Sequence, residues 1–294
     1  MKRVVNEKRI VIPGYDDIWA ATQQAITQRM KAIKPTPNGN FNRYQLFIYN
    51  IRGPKNSFFN TITYKLDLYV TDDKNYNQIP DEFNNSEVNP TMVMSGDKVN
   101  NIVITSKVGT SKTYMFRDIQ TEFHHELTHA YDYFNRLKNG QRVHELRSNS
   151  TYSSKTLSDI MNSDKFSLTE KKLAYFFYFI DNDEFNARLN AFYNEVKHID
   201  SKDRKSKTEQ EIIEQTKEWK KIIFLYNVVD EMNNVQNSNL KRKLIAIANA
   251  MNENSVTTNY SDYQTLLNDI TTKYNDIRNK SLKEFYDIIK EIGK

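Results

Sequence analysis

The chain has 294 residues, 38% hydrophobic and 27% charged, with 18 Tyr and 16 Phe, which is enough apolar surface for a packed core and excludes a disordered polar chain. It has no cysteine, which excludes disulfides and thiolate metal sites and leaves His, Asp, Glu and backbone oxygens as donors. The net charge of +5 is thinly spread, so nucleic acid is not expected as a partner.

The N-terminal stretch MKRVVNEKRIVIPGYDD is basic but lacks the apolar run of a secretory signal. No stretch approaches the roughly 18 apolar residues of a membrane span. The expected setting is cytoplasmic, or inside a phage or virion particle.

Residues 15–33 predict an amphipathic helix, with Ile18, Ala21, Ala25 and Ile26 on one face, stopped by Pro35, Pro37 and Gly39. Strands are expected at 43–53 and at 61–70, where Ile62, Tyr64, Leu66 and Leu68 alternate. A polar loop follows to Pro90. Two short strands, 91–95 and 98–107, flank a Ser-Gly-Asp turn. The second of these is either a sheet edge on which an extended peptide could pair or simply a strand within the sheet.

A long helix is predicted over 114–140, ending at Asn139-Gly140. Residues 141–167 read as a polar loop with short helical pieces. Further helices are expected at 168–180, with Thr169 as cap, and at 183–198. Beyond a polar stretch at 199–208 come helices at 208–231, 239–252 and 260–291; the charged run SKDRKSKTEQ at 201–210 reads as a solvated linker or helix start. The segment KRKLIAIANAM reads as a short core helix rather than a membrane-surface one. The order of elements predicts an α+β class: a zincin-like core with a small sheet ahead of the 114–140 helix, then a mostly helical C-terminal region. The expected domains are 1–200 and 201–294.

Three of the five histidines fall in FHHELTHAYDYF at 123–134. On a helix His125 and His129 share one face, a turn apart, where two imidazoles can bind one zinc at about 2 Å. Glu126 lies beside that face, placed to act as general base on a water. The string HELTH is the HExxH pattern of zinc proteases. The alternative is an ordinary helix with two exposed histidines. His124 points about 100° away from His125, which makes it a surface or packing residue. His198 lies too far beyond 184 to reach the same metal.

The extended string HELTHAYD, with small Ala130 after the second histidine, resembles the gluzincin metallopeptidases, the group that includes thermolysin-like enzymes. The resemblance implies zinc as cofactor, a peptide or protein as substrate, His125 and His129 as ligands, and Glu126 as catalytic base. It also implies a third ligand, a glutamate on a downstream helix, for which Glu184 is the choice. Where the group carries an orienting Asp four residues later, this chain has Arg188. A metzincin would need His at 135, where Asn135 stands. Asp132 and His144 are rival ligands. Asp132 is better read as a hydrogen-bond acceptor for an imidazole or as a partner fixing Arg188. Tyr152 and His144 are candidate donors to the oxyanion, with Tyr131, Tyr133, Tyr175 and Tyr178 nearby in sequence. The C-terminal helices carry no convincing site; they are expected to pack on the first domain or form a small bundle, and could dock the protein to a larger assembly. The competing reading is a zincin-fold structural or assembly protein with little or no turnover.

Overall fold

The structure, a computed structural model, describes residues 9–30, 42–48, 63–71, 91–95, 98–109, 112–140, 154–252 and 259–293. The chain divides into two compact units, Ile10–Val143 and a second formed by Met1–Arg9 with His144–Lys294. The division falls at Val143. The reason is that the helices just before 200 share one apolar core with those after it, Phe176, Phe177 and Phe192 packing with Leu225, Val228, Leu266 and Ile270.

In the first unit, α1 (Tyr15–Met30) opens with Asp16 and Asp17, whose charges favour a helix N-terminus. It buries Tyr15, Ile18, Trp19, Thr22 and Ile26. The buried stripe is thus centred on Thr22, and Ala21 and Ala25 are only half-buried at its flank. Four strands follow at the level of backbone pairing: β1 (Asn42–Ile48), β2 (Thr63–Thr71), β3 (Thr91–Ser95) and β4 (Lys98–Gly109), in the order β1-β2-β4-β3. β1 and β2 are antiparallel, β2 and β4 parallel, and β3 and β4 antiparallel with a register shift between Val93 and Met94. The strand expected to offer a free edge is therefore central, with both its ladders already taken by β2 and β3. The long α2 (Lys112–Lys138) completes this unit.

The second unit contains α3 (Ser154–Met161), α4 (Leu168–Phe179), α5 (Asn182–Lys197), α6 (Ser201–Ser206), α7 (Glu209–Glu214), α8 (Lys217–Asn233), α9 (Ser238–Met251) and α10 (Tyr263–Ile292). Helix α4 starts at a capping box: the Ser167 hydroxyl accepts from the Glu170 N–H, and the Glu170 carboxylate accepts from the Ser167 N–H. Thr169, expected as the cap, instead donates to Glu231 at 2.6 Å. Thr216 caps α8, which breaks the expected 208–231 helix into α7 and α8. The charged run at 201–206 forms the short α6, and Arg204 donates back to the carbonyls of Val196, Lys197 and Ile199, closing the end of α5. Helix α9 turns Leu244, Ile247, Ala248 and Met251 into the core, as a core helix does.

The residues whose side-chain surroundings are described are 80% helical and include no strand. The expected α+β class, a zincin-like core defined by its sheet, is accordingly corrected: the fold is mostly helical. Alternating strand patterns in the first half drew the class toward a sheet, while the helices of the second half build a large core of their own. Among the described residues no helix is long and apolar enough to cross a membrane.

Helix α5 lies inside this core rather than on its surface. Phe185, Leu189, Phe192 and Val196 are buried, and Phe192 stacks on Phe285 of α10 at 3.7 Å. Its polar side chains are buried too: Glu184, Asn186, Arg188, Asn190, Asn194 and Glu195. Such a helix is stable only if those groups find partners inside the protein.

Candidate metal centre

Helix α2 is held by the stripe Ile119, Phe123, Leu127 and Ala130, all fully buried. It ends where Gly140 adopts φ 86°, a left-handed turn that glycine takes without the steric penalty of a Cβ. The HExxH residues lie well inside this helix, where side-chain directions are fixed by more than two turns of backbone on either side.

The Nε2 atoms of His125 and His129 are 3.3 Å apart, with the rings edge-on at 81°. Two imidazole nitrogens bound to one tetrahedral zinc at about 2.0–2.1 Å stand about 3.3 Å from each other. The pair therefore has the spacing of a shared ion. The Glu126 carboxylate lies 3.6 Å from His125 Nε2. One donor atom from each of His125, Glu126 and His129 falls within a mutual 4.8 Å, and no other such group occurs among the described residues. His125 and Glu126 are buried and His129 is partly exposed, so the cluster opens to solvent on the His129 side. The Thr128 hydroxyl donates to the His124 carbonyl at 2.7 Å, which satisfies a polar group inside the helix without crossing to the histidine face.

Asp132 and Arg136 continue the same stripe of α2 and form an ion pair with each other. The Asp132 carboxylate thus already meets a cation on its own helix.

Glu184 lies on α5 in the helical unit, so the three expected ligands come from both units. Its carboxylate is 2.8 Å from Arg188. Arg188 also reaches Glu218 at 3.3 Å and Tyr175 at 3.5 Å, and its guanidinium stands 3.9 Å from the Phe179 ring centre. Burial works against its charge, but Glu184, Tyr175 and Glu218 outweigh that and hold its pKa above the ordinary arginine value. Among the charged partners of Arg188 are Glu184 and Glu218.

Two members of this buried network were not read from the sequence. Glu218 sits in the first turn of α8 and also binds Lys221 at 2.7 Å. Glu195 accepts the backbone N–H groups of Lys217 at 2.7 Å and Glu218 at 3.4 Å, so it caps α8 from outside. Burial, then the nearby Glu218 charge, push the Glu195 carboxyl up to about 7, against the opposing pull of Lys221 and Lys217. Only the i, i+4, i+11 spacing of Glu184, Arg188 and Glu195 along one face hinted at the arrangement.

His144 and Tyr152 lie outside the described residues. Tyr175 and Tyr178 belong to the aromatic packing of the helical unit, Tyr175 meeting Phe179 and Phe224. No protein-family model, curated protein or solved structure matches the chain.

Proposed function

We propose that the protein is a zinc-dependent peptidase in which His125 and His129 hold the metal and Glu126 is the general base. The observation that supports this best is the 3.3 Å approach of the two Nε2 atoms with Glu126 beside them. Two unprotonated imidazole nitrogens at that distance repel, so the pair calls for a proton or a cation between them. Zinc bound there would supply Lewis acidity toward a peptide carbonyl and toward water. His125 and His129 orient it from a helix that cannot rotate without unpacking Phe123 and Leu127. Glu126 accepts the proton of the attacking water and delivers it to the leaving amine. The partner is a peptide or protein substrate.

Glu184 as third ligand, and Tyr152 or His144 as donors to the oxyanion, rest on the sequence. So does a setting in the cytoplasm or inside an assembled particle. Glu126→Gln tests the reading with a set of quenched fluorescent peptides. Cleavage by the parent and its loss in a variant that still binds zinc is the expected result. Equal turnover in both overturns it.

A second reading, a helical component of a larger assembly with no turnover, is favoured by Ile223 at 40% and Tyr226 at 51% exposure, close together on α8. It predicts that Glu126→Gln changes nothing while Ile223→Lys weakens assembly.

A further inference from the structure

The metal-binding pair is only as well aimed as the helix that carries it, and α2 is gripped on its opposite side by α1. Successive residues of a helix are turned by about 100°, which places Gln120, Phe123 and His124 on the side away from His125 and His129. Each of those three meets an aromatic residue at the start of α1. The Tyr15 ring lies face to face with the His124 ring, centroids 3.8 Å apart and planes 16° off parallel. The Tyr15 hydroxyl donates to the Gln120 carbonyl at 3.4 Å, one turn earlier. Trp19 meets Phe123 at 5.7 Å. His124 is only 3% exposed, an uncommon placement for an imidazole that helix packing alone would fill with an apolar side chain.

We infer that Tyr15 and His124 are a positioning pair: their stacked rings set the rotation of α2 about its axis and so aim His125 and His129 at a common point. The inference rests on the proposed metal site and adds to it residues that touch neither metal nor substrate. A flat ring-on-ring contact fixes rotation better than a rounded aliphatic one, because turning the helix by even part of a residue slides the rings out of register.

The test is zinc affinity by competition with a chromophoric chelator, with folding checked by circular dichroism. His124→Ala and Tyr15→Ala are each expected to weaken zinc binding on the order of tenfold. His124→Phe, which keeps a ring against Tyr15, restores most of it. Ile26→Ala, at the far end of α1, lowers thermal stability and leaves the affinity of the folded protein unchanged. Should His124→Ala not fold, Tyr15→Leu carries the same expectation with less loss of volume. Parent-like affinity in the clamp variants, or an equal loss in Ile26→Ala, overturns the inference and leaves the metal site standing. A parent that binds no zinc overturns both.

Discussion

His129 Nε2 stands 3.3 Å from His125 Nε2, while the Glu126 carboxylate between them in sequence stands 3.6 Å from His125. The geometry separates two roles on one turn of helix: two imidazole nitrogens that converge, and one acid set to the side. Substitutions should separate them as well. Glu126→Gln keeps the shape and both histidines, so zinc should be retained while peptide cleavage falls by roughly 10²–10⁴-fold. Zinc content and turnover measured on the same preparation check this.

The buried Arg188 holds Glu184 and Glu218 together. Arg188→Met keeps much of the apolar stem but leaves two carboxylates in the core short of a partner. Unfolding in urea should show a loss of about 3–5 kcal/mol. A loss below about 1 kcal/mol would mean that water reaches these carboxylates.

Glu195 makes stability depend on pH. Its carboxyl is raised from 4.5 to about 7 in the folded chain, so the folded state holds this proton more tightly than the unfolded one. The contribution is fully present below the unfolded value and is lost as pH rises through about 7. Denaturant midpoints taken from pH 4.5 to 8 should carry a falling component that Glu195→Gln removes. The amide oxygen of Gln can still accept from Lys217 and Glu218, so the cap on α8 survives the change.

Little of this network was legible beforehand. Polar residues spaced along a helix face ordinarily mean a solvated face, and nothing local distinguishes a face that is buried among partners from distant helices. The boundaries of α1, α2, α4 and α5 were legible within a few residues, because apolar periodicity and the Asn139-Gly140 stop are local signals. The break at Thr216 was not, because Ile212, Ile213, Trp219 and Ile222 keep an apolar pattern running across it. The fold class was misread for a related reason: alternation marks a strand but not how much of the core a sheet will build. The motif itself was legible, since i, i+4 spacing on a helix fixes which side chains meet. The backing of His124 by Tyr15 was not, because more than a hundred residues separate them.

Gly140 ends α2 at φ 86° with nothing within 4 Å of where a Cβ would stand. Gly140→Ala should therefore cost only the backbone term, about 1–2 kcal/mol, with no added steric loss. Thermal unfolding would show it, and a loss well above that range would mean that a neighbour closes over the turn.

The measurement closest to the central claim is the metal content of the purified protein by elemental mass spectrometry, with His129→Ala and Glu184→Ala alongside. About one zinc per chain in the parent, lost in both variants, is the predicted result. Zinc lost in His129→Ala but retained in Glu184→Ala would keep the metal pair and return Glu184 to its ion pair with Arg188. No zinc in the parent after zinc is supplied would contradict the account.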